Sequence, residues 1–320
     1  MDNYALTATT RAEAHTALTA AVLSDDLYNK WLAFIDVKPK SIVTYTRSIK
    51  QFAAYLHNNE ITRPTREDII KYRERLKENH KPATVQSYLA AVKLFFKWCE
   101  QEKIYENVSK NVKGCKIEEK HKKDYMSAKQ VSKILKGIDT TTLAGLRDYA
   151  LLALMATTGI RTIEAQQANI EDMRTRGEIT VLYLHGKGKD EKCDFVKIAE
   201  PVETAIRAYL SKRGSVKADE PLFSSYAHRN AGGRMTTRSI SRIAKNSLLQ
   251  AGFNSDRLTA HSFRHTAATL NLLNGATLEE TQQLMRHKNI NTTMIYVHEL
   301  ERDKNNSESR IASAIFEGDT

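Results

Sequence analysis

The sequence is short of the groups that build disulfide frameworks, metal sites and membrane spans. Only three cysteines occur in 320 residues, Cys99, Cys115 and Cys193. They are far apart, odd in number and form no CxxC pair, which excludes a stapled secreted fold and points to a reducing compartment. No apolar stretch approaches the roughly 20 residues that a spanning helix needs. The opening MDNYALTATTRAEAHTALTAAVL lacks the charged-then-apolar order of an export signal. The GxxxxGK[ST] phosphate loop is missing, acidic residues form no metal-binding cluster, and no internal repeat is visible. The expectation is a soluble, cytoplasmic protein with no cofactor and no metal.

What is present is positive charge. Lys and Arg total 49 against 38 Asp and Glu, a formal net charge of +11. A surplus of that size suits a polyanionic partner, and nucleic acid is the commonest one. A hydrophobic fraction of 41% supplies enough apolar surface for two cores, and the length suits two domains.

Residues 1–22 are rich in Ala and Thr and read as an N-terminal extension. Residues 23–108 are helical in pattern almost throughout. Leu27, Trp31, Leu32 and Ile35 line a first helix. Ile42, Tyr45, Ile49, Phe52, Ala53 and Leu56 keep the spacing of one buried face on a second, after Pro39. Thr65 opens a third, with Asp68 completing a cap where Glu or Gln is usual. Val85, Leu89, Val92, Phe95, Phe96 and Trp98 fill a fourth. The run 109–124 breaks the apolar period, is dense in lysine, and reads as a basic linker.

A second domain, 125–302, opens with Ser127 as a helix cap. Another helix spans about 144–157 and ends at Gly159. One strand signal is strong: 178–184 alternates, Gly186-Lys187-Gly188 turns, and 193–198 returns as a β-hairpin. Beyond Pro201 the pattern is helical, with caps at Thr236, Thr259, Thr277 and Asn291, and a stop at Asn274-Gly275. The tail, 303–320, has a polar break and then an apolar stripe of Ile311, Ala312, Ala314, Ile315 and Phe316. The fold class is mainly α: a helical domain plus a mixed α+β domain with a small hairpin sheet.

Several side chains could carry chemistry. His261 and Arg264 share the first turn of one helix. His261 and His265 have the spacing of a zinc helix, but Ser262 stands where the metalloprotease pattern needs Glu, so His265 reads as a packed residue. His287 ends the helix TLEETQQLMRH, and Tyr296 follows nine residues later. Arg161 follows the stop at Gly159, and Glu164 one turn on could orient its guanidinium or form a surface ion pair. Lys187 sits at a hairpin tip. Each signal alone is weak.

Together, Arg161, Lys187, His261, Arg264, His287 and Tyr296 resemble the catalytic set of the tyrosine recombinases, the phage integrases and Xer proteins. GIRTIEA, HGKGKD, HSFRHTAAT and LMRHKNINTTMIYVH carry the resemblance in order. SIVTYTRSIKQFAAYL and PATVQSYLAAVKLFFKW resemble two helices of the family's DNA-clamping domain. Two departures stand out: Thr162-Ile163 replaces Ile-Ser, and Met285-Arg286 precedes the histidine where Leu-Gly is common. Only about 22 residues precede the first helix, too few for the arm-binding domain of larger integrases.

The resemblance implies a two-domain clamp on double-stranded DNA. Tyr296 attacks a phosphodiester to give a 3′-phosphotyrosyl bond, and Arg161 and Arg264 hold the phosphate. Lys187 protonates the leaving oxygen, His261 assists proton transfer and His287 donates to the phosphate. It also implies self-association into a tetramer through the tail, accessory DNA-bending or directionality proteins as partners, and a place at the nucleoid. Candidate DNA contacts are Thr44, Arg47, Lys50 and Thr84 in the first domain. In the second they are Arg238, Arg242 and Lys245, which form a basic helix face. A type IB topoisomerase-like relaxase and a non-catalytic DNA-binding protein on the same fold are the alternatives.

Overall fold

The computed structural model describes residues 25–116, 124–185, 194–214 and 216–316. The chain divides into two compact units, Met1–Glu118 and Glu119–Thr320. In the first, the apolar period builds α1 (Asp25–Phe34), α2 (Pro39–Asn58), α3 (Arg66–Asn79) and α4 (Pro82–Gln101). Proline opens α2 and α4 at the first helical position, where its missing N–H removes no helical bond. At α3 the Asp-containing cap closes both ways: Thr65 N–H donates to Asp68 Oδ2 at 2.8 Å, and Asp68 N–H to Thr65 Oγ1 at 3.4 Å. Trp31, Phe52, Ile69, Leu89 and Phe96 fill the centre of this unit. Phe52 meets Tyr72 edge-on at 5.0 Å and Phe96 at 6.0 Å between ring centroids.

The lysine-dense run does not hang free where it leaves α4. Ser109 and Val112 are buried. Arg73 Nη1 donates to the Lys113 carbonyl at 2.8 Å, and Cys115 N–H donates to Gln86 Oε1 at 3.2 Å. Residues 109–116 therefore pack on α3 and α4. The extension 1–22 and the middle of the expected linker, 117–123, lie outside the described residues.

The second unit is organised by one helix. After α5 (Ala128–Lys136), α6 (Leu143–Thr158) buries every residue from Ala150 to Ala156, and a helix that is apolar all round must be central. It packs against α8 (Glu200–Arg213) and α10 (Ala260–Leu273). Between them lie the short α7 (Thr162–Gln167) and an antiparallel sheet in the order β1 (Met173–Arg176), β2 (Ile179–Leu184), β3 (Asp194–Lys197). The sheet has one strand more than the expected hairpin. β1 reads Met-Arg-Thr-Arg and is mostly exposed, so it shows neither apolar alternation nor a buried run. α9 (Thr237–Gln250), α11 (Leu278–Met285), α12 (Asn291–Lys304) and α13 (Ser307–Phe316) complete the unit.

The structure corrects three helix ends. Asn291 is not a cap: it is the first residue of α12, Ile290 before it already has helical backbone, and Asn289 Oδ1 accepts the Asn291 N–H at 2.9 Å. α11 stops at Met285, so His287 lies beyond the helix rather than at its end. α12 runs on through Lys304, which confines the polar break to Asn305 and Asn306. Among the described residues no helix is long and apolar enough to cross a membrane.

Phe52→Ala should empty the centre of the first unit. A loss of about 3–5 kcal/mol is expected, read as a shift in the urea midpoint of that unit. A change under about 1 kcal/mol would show that the site collapses around the gap.

Candidate active site

The site begins where α6 ends. Gly159 takes the left-handed conformation, φ 60, that stops a helix, and its N–H donates to the Met155 carbonyl. A side chain there would also collide, since a Cβ would stand 2.9 Å from Met285 Sδ. Two residues on, Arg161 caps α7. Its backbone N–H donates to Glu164 Oε2 and its Nη1 to Glu164 Oε1, both at 2.7 Å. Glu164 is 3% exposed, so this pair is buried on its acidic side and is no surface ion pair.

Glu164 has a second partner. Arg286 Nη2 donates to its Oε2 at 2.9 Å, and Arg286 Nη1 to the Leu284 carbonyl at 2.8 Å. Arg286 ends α11 with φ 52 and ψ 45, a left-handed conformation that costs a side-chain-bearing residue about 1–2 kcal/mol. Burial alone would raise the Glu164 carboxyl pKa, but Arg286 and then Arg161 pull it below the ordinary glutamate value.

Arg264 stands on α10, 3% exposed. Its Nη1 donates to the carbonyl of Gly159 and its Nη2 to that of Met285. One guanidinium thus ties together the ends of α6 and α11. Burial, and then repulsion from Arg161 and Arg286, pulls its pKa down to about 9, which leaves it charged at neutral pH.

Tyr296 lies in a small cluster with Ala268 and Met285, 3% exposed. Its ring is 5.5 Å from that of His265 and stacks on His287 at 6.4 Å, the planes 5° apart. His287 is oriented by Thr293, whose Oγ1 lies 2.9 Å from Nδ1. His265 in turn meets His261 edge-on at 4.7 Å. Burial pushes the Tyr296 phenol up to about 12, opposed by the positive charge of Arg264 and Arg161.

A cavity of about 340 Å³ opens beside these groups, lined by Arg161, His261 and Arg264 together with Thr259, Ser241 and Lys245. Of the expected set, Arg161, His261, Arg264, His287 and Tyr296 come together here. Lys187 lies outside the described residues. Of the basic face on α9, Arg238 and Arg242 are exposed. Lys245 instead lines the cavity, its ammonium donating to the Ser255 carbonyl at 2.7 Å. On the first unit Thr44, Arg47, Lys50 and Thr84 are all exposed.

The sequence reading missed Thr293, Arg286 and the part played by Met285. Met285 and Arg286 carried a signal, as departures from a common Leu-Gly pair; Thr293 carried none. Among the described residues no cluster of three or more His, Cys, Asp or Glu could hold a metal ion.

Residues 124–302 match the phage integrase family, and residues 27–106 match its N-terminal SAM-like domain. Tyrosine recombinase XerC of Chlamydia muridarum is 31% identical over 236 residues, 73% of either chain. Tyrosine recombinase XerD of Listeria innocua is 27% identical over 286 residues, 86% of this chain and 94% of the relative. Among solved structures, the XerH site-specific recombinase bound to a palindromic difH substrate superposes with a TM-score of 0.69 at 24% identity, covering 86% of this chain and 80% of that one. A lambda integrase tetramer bound to a Holliday junction gives 0.64 at 18% identity, covering 92% and 87%. The chain belongs to the phage integrase family of tyrosine recombinases.

Glu164→Gln should leave Arg161 and Arg286 facing each other without their carboxylate, at a cost of about 3 kcal/mol at pH 7. Because the folded pKa of Glu164 is depressed, its stabilisation is complete above the ordinary glutamate value and is lost as pH falls through the folded one. Urea unfolding of both proteins at pH 7 and at successively lower pH should therefore show a gap that narrows in acid. A gap of constant size would contradict the buried pair.

Proposed function

We propose that this member of the phage integrase family is a site-specific recombinase that cuts and rejoins double-stranded DNA through Tyr296. One observation carries the reading. The two guanidiniums that line a cavity together with an imidazole are the same two whose charge acts on the buried phenol of Tyr296. Two planar forks can grip the non-bridging oxygens of a phosphodiester and stabilise the charge of the five-coordinate transition state.

The step balances without a nucleotide. Tyr296 Oη attacks phosphorus, the new Tyr–O–P bond forms, and the bond to the 5′-oxygen breaks. The phenol proton passes toward His261, and Lys187 gives a proton to the leaving 5′-oxygen. His287, oriented by Thr293, donates a hydrogen bond to the phosphate. Return attack by another 5′-hydroxyl regenerates the phenol and completes the exchange. With a phenol pKa pushed up to about 12, proton removal belongs in the attack itself rather than before it.

Grip on the wider duplex falls to exposed basic and polar groups: Thr44, Arg47, Lys50 and Thr84 on one unit, Arg238 and Arg242 on the other. Lys245 belongs with the phosphate cavity. Such contacts are sequence-independent and weaken with salt. The enzyme works in the cytoplasm on the nucleoid, with accessory DNA-bending or directionality proteins as further partners. A type IB relaxase is less well supported, because the relatives similar over most of their length are recombinases.

Tyr296→Phe should bind DNA normally and form no covalent protein–DNA adduct, while wild-type protein yields adducts whose attached strands can be sequenced. An adduct surviving in Tyr296→Phe would move the nucleophile elsewhere.

The tail supports assembly. On α13, Ile311, Ile315 and Phe316 are 59%, 66% and 83% exposed. An isolated helix of this length is not stable in water, so the stripe needs a surface, and a neighbouring protomer in a ring of four supplies one. Truncation after Lys304 keeps α12 whole. It should leave binding to a single site intact and abolish recombination between two. Recombination at the full-length rate would remove the tail from assembly.

A further inference from the structure

The reading of Arg161 and Arg264 as the phosphate grip leaves their neighbour unexplained. Arg286 does not line the cavity. It occupies the left-handed position that ends α11, where glycine is free of strain and a side chain is not. Its Nε is buried with no hydrogen-bond partner among the described residues. A residue that accepts backbone strain and a stranded donor must gain something from its side chain. What it gains is Glu164, at 2.9 Å.

Glu164 is the acid that holds Arg161, from 2.7 Å. An arginine closed onto a buried carboxylate is electrically neutral as a pair, and a neutral pair is a poor attractor of phosphate. Adding Arg286 changes the sum: two guanidiniums and one carboxylate leave one net positive charge. Glu164 can then fix the direction of Arg161 without cancelling its charge toward the cavity. Arg286 also repels Arg264 and Arg161, so the three cations share one field. Asp194, at the head of β3, is a further acid that Arg286 feels through space.

We infer that Arg286 is a positioning residue for DNA cleavage: by sharing Glu164 with Arg161, it raises the phosphate seat formed with Arg264 from one net positive charge to two while the carboxylate holds the first arginine in place. The inference rests on the recombinase reading above. It acts on the rate of the chemical step more than on DNA affinity, because affinity comes from many contacts along the duplex and charge stabilisation at the phosphate comes from few.

The test uses full-length protein and the duplex that wild-type protein captures covalently. Arg286→Gly should fold, since glycine suits the left-handed backbone, with a native circular dichroism spectrum and a cooperative thermal transition. Its rate of adduct formation at saturating DNA should fall roughly tenfold to a hundredfold, as expected for one charge lost several ångströms from the reacting phosphate. Half-saturating DNA should change little.

The deciding variant is Arg286→Gly combined with Glu164→Gln. It removes the negative charge along with the positive one and returns the seat to two net positive charges. Its adduct rate should recover most of the loss, and Arg286→Lys should retain most of the wild-type rate. If Arg286 served only packing, the second substitution would make the protein slower still, and that result would overturn the inference. So would an Arg286→Gly enzyme as fast as wild type. Wild-type protein that formed no adduct at all would instead sink the recombinase reading itself.

Discussion

Two guanidiniums, those of Arg161 and Arg286, hold a single buried carboxylate, Glu164, and a third, that of Arg264, is buried within the same field. Taking such ions out of water costs several kcal/mol each unless hydrogen bonds replace the lost solvation. Arg264 meets that demand with two backbone carbonyls, one from the end of α6 and one from the end of α11. The helices must therefore finish where they do. α6 is buried along its length and holds its last turn rigidly. Gly159 then turns the chain in a conformation that frees its carbonyl for Arg264 and brings Arg161 to the same place. Without that turn the first arginine and the second would belong to different parts of the molecule.

The same constraint explains what the sequence disclosed. Local rules acted alone at Gly159, at the Thr65, Ser127 and Thr277 caps, and along the buried faces of α2 and α4, so these could be read from spacing. The cap at α12 could not. Asn291 and Asn289 are both good capping residues, and the choice fell to Asn289 once the chain turned through Lys288 and Ile290. β1 was invisible because its stability comes from pairing with β2, not from its own Met-Arg-Thr-Arg pattern.

At the site, Arg161, His261, Arg264, His287 and Tyr296 were legible through ordered motifs, each quoted with its neighbours. The partnership of Arg286 with Glu164 was not, because 122 residues separate them and no periodicity links them. Thr293 was missed for a related reason: a buried threonine on a helix has no signature until the histidine it orients has been placed beside it. Lys245 shows how spacing places a side chain without aiming its end. Helical spacing grouped it correctly with Arg238 and Arg242, but its ammonium leaves that face for the Ser255 carbonyl and the edge of the cavity.

The surroundings of the charges and of the proposed nucleophile bear differently on reactivity. Arg264 is fixed by hydrogen bonds to backbone that belongs to the rigid centre of the unit. Tyr296 packs between Met285, Ala268, His265 and His287, on a helix that leads outward to the exposed stripe of α13. Packing of this kind keeps the phenol protonated, since burial raises its pKa more than the arginines lower it. A protonated, buried phenol does not attack phosphates it meets by chance. Bringing a phosphodiester against the guanidiniums does not by itself make a phenolate, because added negative charge opposes ionisation. In the proposed reaction, attack therefore requires proton transfer to a nearby base at the same moment as bond formation, and His261 and His265 are the imidazoles arranged in series from the cavity to the tyrosine ring. The site is thus charged before DNA arrives but not nucleophilic, and the two properties meet only when phosphate, imidazole and phenol are aligned together.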